Sequence, residues 1–269
     1  MKVYETGNIR NVVVMGHGGC GKTTLVEAIA YQTGITARMG KVTDGNTISD
    51  YDKEEQKRQF SISTSVVPVE FEDIKINFLD TPGYFDFVGE VEEACHAAGA
   101  AVIVINGKSG VEVGTLKAWE LCEKYKLPRL FFVTGMDDDQ ASYRKIVLEL
   151  NDRFGRKVAP FHVPIRENEK FVGFVNVVKM KGRRFINDTS EYEECDIPDY
   201  MDKHLNISRD ALVEAVADTS EELMERYFAG EEFTYEEVST ALRTHVMDCQ
   251  IVPVLVGSGI HNQGTSMLM

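Results

Sequence analysis

Apolar residues fall along this chain in two rhythms. The first begins at residues 9 to 15, IRNVVVM, a β-branched run that ends in glycines and predicts a buried strand followed by a tight turn. Leu25, Val26, Ile29 and Ala30 then recur at the three-to-four spacing of one helical face, so a helix is expected from about Lys22, closed by Gly34. Residues 40–59 have no apolar period and read as a long mobile loop. SISTSVVPVEF and IKINFLD are strand-like and flank an acidic turn at Glu72 and Asp73, which predicts an antiparallel hairpin. Beyond it, a helix near 85–98, the strand AAVIVIN, a helix near 113–125, the strand RLFFVTG and a helix near 141–154 alternate as β-α-β units on a parallel sheet do.

The rhythm changes at Val158. FHVPI, FVGFVNVVKM and GRRFI are strand-like, and an acidic segment and two helical stretches around 211–227 and 236–246 follow, which makes an α+β block. IVPVLVGSG then returns to the buried parallel-strand type. The expected class is α/β, a doubly wound, mostly parallel sheet with one antiparallel hairpin strand and an inserted α+β subdomain. The corresponding division is 1–157, 158–247 and 248–269.

Composition narrows the setting. With 269 residues, 43% apolar and 27% charged, the chain can bury a real core. No apolar run approaches the roughly 20 residues that span a bilayer, and the polar start leaves no room for a signal peptide, so a cytoplasmic protein with no membrane partner is expected. The cysteines Cys20, Cys95, Cys122, Cys195 and Cys249 contain no C-x-x-C pair and read as reduced thiols. A formal charge of −14 argues against non-specific nucleic-acid binding, which needs dense Lys and Arg, without excluding a local basic patch. His17, His96, His162, His204, His245 and His261 show no ligand spacing, Asp137 to Asp139 read as a helix start, and Trp119, Phe131 and Phe132 read as core.

Two motifs carry chemistry. GHGGCGKT comprises Gly16, His17, Gly18, Gly19, Cys20, Gly21, Lys22 and Thr23, is followed by Thr24, and fits G-x-x-x-x-G-K-[ST] between a predicted strand and a predicted helix. Backbone N–H groups of such a loop can surround a polyphosphate. Lys22 can reach the terminal phosphates, and the Thr23 hydroxyl can bind Mg²⁺. The second motif is FLDTPGYFDF. Asp80 ends a buried strand and can hold a water on Mg²⁺, while Gly83 leaves its N–H free for a γ-phosphate. Alone, Asp80-Thr81-Pro82-Gly83 is an equally good turn; downstream of a phosphate loop the functional reading dominates.

GHGGCGKTT, LDTPG, VEVGTLKAWELCEKYKLPRLFFV and VPVLVGSG together resemble the GTP-binding domain of translational GTPases, specifically the elongation factor G family, over nearly the whole chain. The resemblance implies a P-loop NTPase fold, GTP and GDP as ligands with Mg²⁺, and the ribosome as partner. Four departures bear on what carries over. The family's magnesium-binding threonine falls on Ser61, whose hydroxyl can still ligate; the alternative is a surface strand serine. The histidine that positions the attacking water is Tyr84, a neutral phenol, so slower hydrolysis is expected. The loop aspartate associated with a monovalent cation is Gly19.

The fourth departure is at the base. The family's N-K-x-D is here Thr134, Gly135, Met136 and Asp137, which keeps only the guanine-reading carboxylate. Losing one hydrogen bond and one aliphatic cover costs about 1 to 3 kcal/mol, which leaves a weakened guanine site, against the alternative of a plain turn. Ser258 and Gly259 stand at the family's final Ser-Ala motif, where a backbone N–H meets the guanine carbonyl. The resemblance implies a GTPase in which Lys22, Gly83 and Tyr84 serve catalysis. The rival readings are a degenerate GTPase acting as a binding module and an ATPase on the same loop. The family's final helix is expected to begin where the chain ends, so the later domains are expected to lie outside this piece.

Overall fold

The computed structural model describes residues 2–186 and 189–269; the side chains of Lys203 and His204 fall outside that description, and with them the reading of His204. The first half runs β1 (Ile9–Gly16), α1 (Lys22–Gln32), α2 (Lys53–Arg58), β2 (Ser65–Phe71), β3 (Ile74–Asp80), α3 (Val88–Ala97), β4 (Ala100–Asn106), α4 (Val113–Tyr125), β5 (Arg129–Thr134) and α5 (Tyr143–Phe154). The second half runs β6 (Val158–Pro160), β7 (His162–Glu167), β8 (Lys170–Asn176), β9 (Lys181–Phe185), β10 (Tyr192–Cys195), α6 (Asp202–Ala217), α7 (Glu221–Phe228), α8 (Tyr235–Met247) and β11 (Val252–Val256).

Seven strands form one sheet in the order β2-β3-β1-β4-β5-β11-β6, and four form a second in the order β10-β9-β8-β7. Within the large sheet only β2 runs antiparallel, paired with β3 across the Glu72–Asp73 turn. The second sheet is antiparallel throughout. β1 lies between β3 and β4, with Val14 level with Asp80 and Gly16 level with Val104. The glycine run therefore starts at the switch point of the sheet, beside the ends of both neighbours, where ligands of open α/β sheets bind.

Apolar alternation fixes the layers. Phe131 and Phe132 are consecutive on β5 and both fully buried, one in the core under α3, α4 and α5, the other in the core under α1. Burying each contributes about 2 to 3 kcal/mol. α1 is buried almost all round, at Leu25, Val26, Ala28, Ile29 and Ala30. Trp119 is only partly buried, stacked 4.1 Å from Phe154 with the Arg129 guanidinium 3.8 Å above it. All five cysteines are free. Among the described residues, no helix is long and apolar enough to cross a membrane.

Several elements differ from the sequence reading. Residues 40–59 are a run of turns that includes the helix α2, which has no apolar residue and is held by a capping box between Asp52 and Glu55. β2 begins at Ser65, so Ser61 precedes the hairpin. Val158–Pro160, assigned in sequence to the head of the inserted block, pairs with β11 and extends the central sheet. The acidic segment supplies the strand β10. The two helical stretches are three helices, because Ser220 caps α7 by accepting the Leu223 N–H and so ends α6 upstream. Asp137 to Asp139 form a turn, and α5 begins only at Tyr143.

Candidate functional site

The loop from Gly16 to Thr23 joins β1 to α1, and Gly21 takes a left-handed conformation at the helix N-cap. Lys22 is buried. Its ammonium donates to the carbonyls of His17 (2.9 Å) and Gly16 (3.2 Å), so the charge sits inside the loop, under the place where phosphates would lie. His17 turns away, its Nδ1 accepting the Gly114 N–H at 3.3 Å and its Nε2 standing 3.5 Å from Glu112. Cys20 is buried beneath the loop, and desolvation raises its thiol pKa. A cavity of about 190 Å³ opens over the loop, lined by Gly18, Lys22, Thr23, Asp50, Ser61 and Tyr84 among others. Thr24 and Gly19 line it too.

At one end of this cavity the hydroxyls of Thr23 and Ser61 approach to 3.1 Å, and Ser61 also donates to Asp50 at 2.7 Å. Ser61 is buried, which excludes the surface-serine alternative. Asp80 is 1% exposed, and among the described residues neither carboxylate oxygen meets a hydrogen-bond partner; the Ser49 hydroxyl and the second oxygen of Asp50 are likewise buried and unpartnered among them. Desolvation raises the Asp80 pKa to about 6, opposed by the nearby Ser49 and Thr23 hydroxyls and the Lys22 ammonium. Burial also raises Asp50. A buried carboxylate without a partner is costly. Two hydroxyls and carboxylate oxygens converging beside a phosphate loop are the hard oxygen donors that suit Mg²⁺, which keeps several waters. The donor set fits that ion. Among the described residues no group of three or more His, Cys, Asp or Glu stands together as a metal cluster, so the hydroxyls are integral to the fit.

Gly83 crosses directly over the loop. A Cβ there would lie 2.4 Å from the Lys22 ammonium and 2.7 Å from the Gly18 Cα, so only glycine permits the approach. Thr81 is fully buried and donates to the Val14 carbonyl at 2.7 Å, tying the DTPG turn to β1. Pro82 borders a narrow pocket with Gly16, Tyr84 and Phe85. Tyr84 is half exposed, lies over Gly18 and meets Phe60 with ring centroids 4.7 Å apart and planes tilted by 58°.

Beside Gly21, Thr134 is buried and accepts the Gly259 N–H at 3.3 Å, while its methyl packs on Gly21. Thr134 therefore links the phosphate loop to the final loop. Gly259 spends on Thr134 the N–H that the sequence reading reserved for a base, and the loop around it is closed by paired hydrogen bonds between Ser258 and Gln263. Gly135 has a φ of +69°, and Asp137 follows Met136, which points into the core. One Asp137 oxygen is buried and meets no partner among the described residues; the other stands 3.8 Å from Nε2 of His261.

Several residues that organise the site were not singled out in sequence. Glu27, 1% exposed on α1, accepts the N–H groups of Gly40 and Ile48, both at 2.7 Å. Glu55 accepts those of Ile62 (2.8 Å) and Ser63 (3.1 Å), which fixes the chain beside Ser61. The signals were an acid amid an apolar helix and the D-x-x-E capping pattern at Asp52. Asp50 and Ser49 had no such signal.

A family model described as elongation factor Tu GTP binding domain matches residues 7–269. Among solved structures, a crystal structure of a Thermus thermophilus protein superposes with a TM-score of 0.88 at 36% identity, over 97% of this chain. This chain spans 39% of the length of that one.

Proposed function

This chain belongs to the elongation factor Tu GTP-binding domain family, and from that premise we propose that it is the GTP-binding domain of an elongation factor G-like translational GTPase, with Mg²⁺-dependent GTP binding and slow hydrolysis coupled to the ribosome. The observation that carries the proposal is the placement, beside the phosphate loop, of a Thr23 hydroxyl that stands 3.1 Å from the Ser61 hydroxyl and next to an Asp80 carboxylate that meets no hydrogen-bond partner among the described residues.

In this reading the loop amides and Lys22 bind the phosphate chain, and the Gly83 N–H meets the γ-phosphate. Thr23, Ser61 and Asp80 hold Mg²⁺, directly or through water. Bound there, Mg²⁺ supplies positive charge against the phosphate oxygens. Asp137 selects guanine by accepting from the ring N–H and the exocyclic amine. Tyr84, whose ring lies over Gly18, would orient a water there, and a phenol cannot supply a cationic imidazole. Slow turnover without a partner follows.

A second reading, a binding module without significant hydrolysis, is favoured by one feature. Tyr84 packs on Phe60 at 4.7 Å instead of presenting an ionisable imidazole over the loop. Phosphate release with and without ribosomes separates the two. The GTPase reading expects release stimulated by ribosomes; GTP binding with no release in either condition leaves the binding module.

A further inference from the structure

Asp137 gains little hold from its own loop. Gly135 offers no side chain, and one carboxylate oxygen of Asp137 is buried and meets no partner among the described residues. The turn backbone is closed locally by the Asp138 N–H on the Gly135 carbonyl and the Ala141 N–H on the Asp138 carbonyl, both at 3.1 Å, and it is gripped a second time from the second sheet. Arg166, on β7, donates through Nη1 to the Met136 carbonyl (3.1 Å) and the Ala141 carbonyl (3.4 Å), and through Nη2 to the Asp138 carbonyl (3.0 Å) and to that of Glu169.

The local chain is shaped for this reach. The β7–β8 register shifts between Ile165 and Arg166, where Val172 of β8 is left without a partner opposite. Asn168 and Glu169, with φ of +48° and +68°, make the tight turn that brings the Glu169 carbonyl back onto the guanidinium. Tyr200 donates to the Arg166 carbonyl at 3.1 Å and holds its backbone.

Met136 and Asp138 flank Asp137, so fixing both carbonyls fixes the direction in which the Asp137 side chain leaves the backbone. The Met136 N–H, bonded to the Gly257 carbonyl at 3.2 Å, anchors the opposite edge. A planar guanidinium with five donors can serve several carbonyls at once, whereas an ammonium is a point donor on a flexible stem.

We propose that Arg166 is a positioning residue for guanine recognition: it reaches from the second sheet to orient the Asp137 carboxylate and makes that sheet part of the base site. The inference rests on the proposed role of Asp137. Inosine diphosphate keeps the purine ring N–H but lacks the exocyclic amine, so the GDP-to-IDP affinity ratio reads how well the carboxylate is aimed, which a merely structural role would not move.

The test is competition of GDP and IDP against a fluorescent GDP analogue, for the parent, Arg166→Met, Arg166→Lys, Asp137→Ala and the Arg166→Met/Asp137→Ala double variant, each checked by thermal melting. The parent is expected to prefer GDP about ten- to a hundredfold, the worth of one charge-assisted hydrogen bond. Arg166→Met is expected to lower that ratio about tenfold, Arg166→Lys to fall between, and Arg166→Met to add nothing on top of Asp137→Ala. If Arg166→Met does not fold, the Lys variant decides. A parent ratio near one removes the base-reading role of Asp137 and this inference with it. A discriminating parent beside a folded Arg166 variant with the same ratio removes the inference alone.

Discussion

The hydroxyls of Thr23 and Ser61 lie 3.1 Å apart across 38 residues of sequence, one at the start of α1 and the other at the end of the turns that follow it. Thr23 is fixed by its helix, whereas Ser61 depends on chain that Glu27 and Glu55 hold in place. The two hydroxyls therefore differ in what they sense. Thr23→Ala is expected to weaken Mg²⁺-dependent binding of GDP and GTP alike, and Ser61→Ala to weaken GTP about tenfold while sparing GDP. Calorimetric titration with each nucleotide, with and without Mg²⁺, measures the difference.

Asp80 is expected to make the site pH-sensitive. Its pKa rises from 3.8 to about 6 because burial disfavours the carboxylate. Between those values the folded chain holds more protons at Asp80 than the unfolded chain, so this residue's contribution to stability falls as pH rises through the window. The loss is about 3 kcal/mol by pH 7. In nucleotide-free protein, Asp80→Asn is expected to flatten the pH 4–7 slope of urea-unfolding free energy and raise stability at pH 7.5. Because a proton and Mg²⁺ compete for one carboxylate, the parent's Mg²⁺ effect on GTP affinity is expected to fade below about pH 6. An unchanged slope in the Asn variant removes Asp80 as the cause.

The strand and helix that frame the phosphate loop were legible in the sequence. IRNVVVM and the Leu25, Val26, Ile29, Ala30 face placed the phosphate loop between strand and helix, because long, strongly patterned segments carry their own signal. α2 was not legible, since KEEQKR has no apolar residue and its stability lies in capping and in the burial of Glu55. Val158–Pro160 is too short to show a period, and only its partner β11 assigns it to the central sheet. Glu27 announced that it needed a partner but not which one. Asp50 and Arg166 act through contacts that exist only after the chain has folded.

Gly83 leaves no room for a side chain. Gly83→Ala places a Cβ 2.7 Å from the Gly18 Cα, which is backbone and cannot swing aside, so the turn must withdraw from the loop. GTP hydrolysis is expected to be lost and GTP affinity to fall toward that of GDP, with a stability cost of about 1 to 3 kcal/mol. Retained hydrolysis in single-turnover assays contradicts the assigned role of the Gly83 N–H.

Tyr84 is the position at which rate is expected to respond to chemistry. It lies over Gly18 and against Phe60, so a histidine there stands over the same loop. Tyr84→His is expected to raise ribosome-stimulated phosphate release about tenfold or more without changing GDP affinity. Equal rates in the two proteins show that the phenol does not limit turnover.

The central claim is that the cradle above Lys22 binds a guanine nucleotide with Mg²⁺. Displacement of a fluorescent GDP analogue by GTP and by ATP, in millimolar Mg²⁺, tests it most directly. The account predicts one site, with GTP at least about tenfold more effective than ATP. Equal displacement by the two, or no binding of the analogue, contradicts it.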